Sequence, residues 1–229
     1  QDRDETLLGH KPFWVLADYL TRRNIAVLRY DERGVGKSAG EFSSATTANF
    51  AQDTACAVDF LASHSRIDAK QIGLIGHSEG GLVAPIVASQ RDDVAWIVLM
   101  AGPGVNGEQI MYSQGELMIV AEGGDELAVK RNRLVQEIAM REIKNLLPGA
   151  SITELVEPVT NEVIAQAKQV VPDGKEDSVT EIAGNESNET DAARIRVAAL
   201  VQANLKAMNT TWFRFFLAHE PGPVLQKIR

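Results

Sequence analysis

Two stretches of the chain hold residues whose types and spacing could do chemistry. The more specific is "LIGHSEGGLVAP" (74–85), where Gly76-His77-Ser78-Glu79-Gly80 fits Gly-x-Ser-x-Gly between a strand-like run and a helical pattern. A serine on a strained strand-to-helix turn projects its hydroxyl past the end of the sheet, and the flanking glycines let the neighbouring backbone close in. In that setting Ser78 is a nucleophile. The N–H of Glu79, at the helix start, is then a donor to the negative oxygen of a tetrahedral intermediate, worth about 3 kcal/mol. The alternative is a tight turn with a solvent-facing serine. The other stretch is "DERGVGKS" (31–38), which ends like a phosphate-binding loop. That loop requires a glycine where Asp31 stands, and a carboxylate there would face phosphate charge while its Cβ obstructed the tight nest of N–H groups. A nucleotide site is therefore rejected.

A serine on such a turn needs a sheet to stand on. "IAVLRY" (25–30), "IGLIG" (72–76) and "VAWIVLM" (94–100) read as strands, nearly continuous in apolar character as strands covered on both faces are. Between the first two, 46–64 places Phe50, Ala57 and Leu61 at helical spacing, and 12–24 reads as a helix with Pro12 in its first turn. Strand and helix in alternation imply a parallel sheet with crossover helices. Residues 104–209 break that rhythm. Helical patterns recur at 125–147, 161–171 and 191–208. Between the last two, 172–191 holds seven acids and one lysine, a solvated loop rather than an interaction surface.

The whole chain bounds these readings. Its 229 residues can bury one substantial core, which favours one domain with an insertion over two independent ones. A net charge of −8 argues against a nucleic-acid surface. The single cysteine, Cys56, cannot form an internal disulfide and sits in an apolar-periodic run that suggests burial. No run approaches 18 apolar residues, and "QDRDETLLGHK" is no signal peptide, so the chain reads as soluble, with the cytoplasm slightly favoured and an unseen leading segment left open. Asn185, Asn188 and Asn209 begin Asn-x-Ser/Thr triplets, which matter only in a glycosylating compartment.

On its motifs the chain resembles the α/β-hydrolase superfamily, in its bacterial esterase/lipase branch. There the strand before the elbow strand ends in Asp-x-Arg-Gly-x-Gly-x-Ser, which 31–38 matches throughout, beside "GHSEGG" and "TTWFRFFLAHEPGPVLQKIR" (210–229). The opening "QDRDE" resembles the end of a loop that completes the oxyanion hole, which implies a second donor near Gln1. The resemblance implies a doubly wound, mostly parallel sheet with an inserted helical cap: core over 1–103, cap over 104–209, and a return to the core over 210–229. It also implies the chain order Ser, Asp/Glu, His for the catalytic groups. His10 and His64 precede Ser78, His77 lies inside the elbow, and His219 ends an aromatic helix with no strand after it, so none is assigned as the base. The acid and the histidine are expected beyond residue 229. A third strand that pairs with both 25–30 and 72–76 is expected before residue 1.

The function implied is a serine carboxylic-ester hydrolase acting through an acyl-enzyme on Ser78, without cofactor or metal. A thioesterase, an acyltransferase, a serine peptidase or an inactive binding module of the same fold stay open. Trp212, Phe213, Phe215 and Phe216 put four aromatics into five positions, too many for one helix face. Some should pack in a core, and Trp212, Phe213 and Phe216 are candidates to line an acyl pocket. The expected partner is a small-molecule ester, with no membrane span and a homodimer left open.

Overall fold

The computed structural model describes residues 1–170 and 187–228. The loop expected over 172–191 falls outside them as far as residue 186, as do Asn185 and the Asn188 side chain. Two compact units are present, Gln1–Val105 with Glu220–Arg229, and Asn106–His219. The helical unit thus runs ten residues past the boundary expected at 209, because Phe213 and Leu217 are buried in its own core.

In the first unit, helix α1 (Pro12–Thr21) opens on a proline, whose missing N–H is one that no helix start could bond. Helix α2 (Thr47–Ser63) begins where the Asn49 side chain accepts from the Thr46 N–H at 2.9 Å. Strand β1 (Gly73–His77) runs into helix α3 (Gly80–Ala88), and strand β2 (Trp96–Met100) pairs with β1 in parallel, from Gly73 opposite Trp96 to His77 opposite Met100. Helix α3 packs on both strands and on α2. Leu82, Val83, Ala84 and Val87 of α3 are buried with Phe50, Ala51 and Val58 of α2.

Three expectations are corrected here. Residues 25–30 form no strand, since a strand exists only through its ladder and no described segment pairs with them. The described sheet therefore has two strands, and its apolar residues are not covered on both faces: Val98 and Leu99 stay 45% and 40% exposed. Cys56 is exposed rather than buried. The buried stripe of α2 runs through Thr47, Phe50, Ala51, Thr54 and Val58, and Cys56 lies about 200° around the helix from Thr54, at 100° per residue.

The second unit is helical throughout its described residues. Helix α4 (Gly107–Ala121) starts at an Asn106 cap whose side chain accepts from the Gln109 N–H at 3.1 Å. Helix α5 (Glu126–Asn145) starts at Asp125, capped onto the Ala128 N–H at 2.8 Å. Helices α6 (Thr153–Val170), α7 (Ser187–Met208) and α8 (Thr211–Ala218) follow. Ile138, Met140 and Ile143 of α5 are buried against Val159 and Val163 of α6, Val201 and Leu205 of α7, and Phe213 of α8. After α8 the chain rejoins the first unit with α9 (Pro221–Leu225), which packs on α3. No described helix is long and apolar enough to cross a membrane.

Candidate active site

Ser78 stands between the end of β1 and the start of α3 with φ +53°, a left-handed conformation that a side chain with a Cβ rarely adopts. Such strain persists only where the surroundings over-determine it. Here the Ser78 N–H donates to the Met100 carbonyl at 2.9 Å, continuing the ladder one step past the strand, and the Gly81 N–H donates to the Ser78 carbonyl at 2.8 Å. The glycines follow from the same turn. A Cβ on Gly76 would collide with the Gly80 carbonyl, and one on Gly81 with the Gly102 backbone behind β2. The Ser78 side chain, by contrast, is exposed. Glu79 has helical angles, φ −57° and ψ −33°, and its carbonyl accepts the first bonds of α3 from Leu82 and Val83. Its carboxylate accepts from the wholly buried Thr47 hydroxyl at 2.7 Å, across the start of α2.

Asp31 organises the neighbouring turn. Arg3 donates to it through Nε at 3.0 Å, Nη2 at 2.7 Å and its backbone N–H at 3.0 Å, and the Lys37 N–H adds a longer bond at 3.3 Å. The Arg3 guanidinium, followed by the two backbone donors, holds the Asp31 carboxyl well below the usual carboxylate range against the opposing pull of desolvation. Gly36, at φ +56°, closes over this carboxylate so tightly that a Cβ would lie 2.6 Å from Oδ2. The donors that a phosphate would need are thus turned onto an internal anion. Arg33 pairs bidentately with Asp53 of α2, at 2.7 and 2.6 Å, and ties the turn to that helix.

The segment before α1 is fastened to both motifs. Arg29 pairs with Asp4, and the Glu5 carboxylate lies 3.2 Å from His77 Nδ1, next to the nucleophile candidate in sequence. The Phe13 ring meets the His77 imidazole edge-on, with ring centroids 5.8 Å apart. The Gln1 carbonyl accepts from the Glu32 N–H at 3.1 Å, which joins this segment to the turn. Sequence reasoning missed the Arg3–Asp31, Glu5–His77 and Thr47–Glu79 contacts, for which no spacing rule exists.

The four histidines are placed as follows. His10 closes a bridge with Leu7, His64 caps α2, His77 faces Glu5, and His219 stacks on Phe215 at the end of α8. The aromatic candidates belong to the helical unit. Phe213 and Phe216 are buried, and Trp212 stacks on Phe216 with centroids 5.2 Å apart and planes 9° from parallel.

A parallel strand pair packed by helices, with a strained serine turn between strand and helix, is the arrangement around the nucleophile turn of the α/β-hydrolase fold. Residues 13–139, more than half of the chain, match the family described as "Serine aminopeptidase, S33" (Hydrolase_4), and the chain belongs to that family with its α/β-hydrolase fold. It is similar to "Esterase EstD" of Thermotoga maritima, 29% identical over 113 residues, which cover 49% of this chain and 27% of that protein. It is also similar to "Uncharacterized protein YfhR" of Escherichia coli O157:H7, 31% identical over 117 residues, or 49% of this chain and 40% of that protein. The matched stretch thus spans less than half the length of either relative.

Proposed function

We propose that the protein is a serine hydrolase of carboxylic esters that works through an acyl-enzyme on Ser78. The observation that carries this reading is the φ of +53° at Ser78, on a turn where neither Gly76 nor Gly81 admits a Cβ without collision. In the proposed reaction Ser78 Oγ bonds to the ester carbonyl carbon, the alcohol leaves with a proton, and water then releases the acid and restores the hydroxyl. The Glu79 N–H, at the N-terminus of α3, stabilises the developing oxyanion, with a second N–H near Gln1 as the family resemblance implies. The helical unit is proposed as the cap that selects acyl groups, with Trp212 and Phe216 as candidates for its pocket, Phe213 being buried in that unit's own core. The name of the Thermotoga relative supports an ester substrate.

A peptidase of the same site is the second reading, favoured by the description of the family itself. In the full-length protein a fluorophosphonate should label Ser78 and p-nitrophenyl esters should be cleaved. Ser78→Ala should lose that activity by several orders of magnitude with the thermal transition nearly unchanged, since an exposed elbow side chain adds little packing. Retained activity in Ser78→Ala would overturn the assignment. Faster cleavage of peptide nitroanilides than of esters would move it to the peptidase.

A further inference from the structure

We propose that Thr47 is a positioning residue for the oxyanion donor, acting through the side chain of Glu79. The inference rests on the reading of Ser78 as the nucleophile. The Glu79 N–H and the Glu79 side chain leave the same Cα, so fixing one restricts the other. The carboxylate is fixed at 2.7 Å by a hydroxyl on the first residue of α2, which is itself 0% exposed. That residue has no freedom to follow a moving partner, because the start of α2 is set by Thr46 and Asn49 and the helix is packed against α3. The bond therefore bridges the starts of two packed helices, and it holds the Ser78–Glu79 peptide against the relaxation that a φ of +53° invites.

The same bond answers an electrostatic problem. A carboxylate directly after the nucleophile is a like charge beside the oxyanion that would form there, and it would oppose the transition state if it swung toward Ser78. Held by Thr47, the charge sits instead at the first turn of α2, where helix N–H groups favour an anion. Two effects are thus assigned to this bond: it helps to aim the N–H and to keep the charge aside. Both act in the transition state alone, so they should appear in kcat and leave KM unchanged.

The test is a double-mutant cycle in the full-length protein. Thr47→Val removes the hydroxyl at nearly constant volume, and Glu79→Ala removes its partner. Each should lower kcat for a p-nitrophenyl ester on the order of tenfold to a hundredfold, less than deletion of an oxyanion donor. The pair together should lose no more than one of them does. Thr47→Ser, which keeps the donor, should recover most of the rate, and this variant decides the matter if Thr47→Val does not fold. A wild-type kcat in Thr47→Val, additive losses in the cycle, or a loss in KM alone would overturn the inference. So would a Glu79→Gln variant that is inactive while Thr47→Val is fully active, since the carboxylate would then act chemically. Ser78→Ala separates the two levels: if it stays active the nucleophile reading itself fails, and if it is inactive any failure in the cycle belongs to Thr47.

Discussion

Asp31 shows how one side chain decides what a glycine-rich turn is for. Its carboxylate takes the backbone and guanidinium donors of Arg3 together with the Lys37 N–H, so the loop is filled from within and Gly36 is required by closeness rather than by a ligand. Because the folded-state pKa is depressed, the carboxylate contributes stability that is fully present above its unfolded value of about 3.9 and is lost as the pH falls toward the lower folded value. Asp31→Asn should therefore lower Tm by several degrees at neutral pH, and the difference from wild type should shrink below about pH 4. Thermal melts of both proteins across the acid range check this, and a difference independent of pH would contradict it.

Among the elements, α5 is the helix on which the second unit depends, with α4, α6 and α7 all packed against it. Its C-terminus is finished from another helix. Arg214 of α8 donates through Nη1 to the Ile143 and Leu146 carbonyls at 2.8 and 2.9 Å, and through Nη2 to Asn209 Oδ1 at 2.9 Å. A guanidinium at a helix C-terminus satisfies open carbonyls and meets the negative end of the helix. Arg214→Met should lower the unfolding free energy by about 2 kcal/mol, seen as a lower urea midpoint at unchanged slope, and should speed hydrogen exchange at Leu146 first. Asn209 also donates to the Ala150 carbonyl at 3.0 Å, so this triplet asparagine is engaged in the fold.

At the scale of the whole molecule, the two units divide the work if the second is a cap. Trp212, half-buried and stacked flat on Phe216, lies at the edge of the buried cluster around Phe213 rather than within it. Trp212→Ala should raise KM for p-nitrophenyl esters of long acyl chains at least fivefold relative to the acetate, about 1 kcal/mol of apolar contact. It should leave the rate of Ser78 labelling by a small fluorophosphonate within twofold of wild type. An equal change for all chain lengths would remove Trp212 from the pocket and leave it as packing.

Much of this was legible in the residues alone, because its physics is local. Gly76 and Gly81 around Ser78 announce a turn that only small neighbours permit, and the structure has that turn at φ +53°, while Gly80 has open space around it. The order of strand, elbow, helix and strand over 73–100 follows from apolar period and chain sequence, as do the helices over 126–145 and 187–208. Helix α4 went unread because its apolar residues follow no clear stripe, and the early start of α6 was masked by Pro158 inside it. What only the tertiary structure decided is which distant residues meet. Arg3 reaches Asp31, Glu5 reaches His77 and Thr47 reaches Glu79 across 28, 72 and 32 positions of chain. The exposure of Cys56 and the membership of α8 in the helical unit are of the same kind. A strand needs a neighbour and a buried face needs a cover, and both are supplied by segments remote in sequence, where periodicity carries no information.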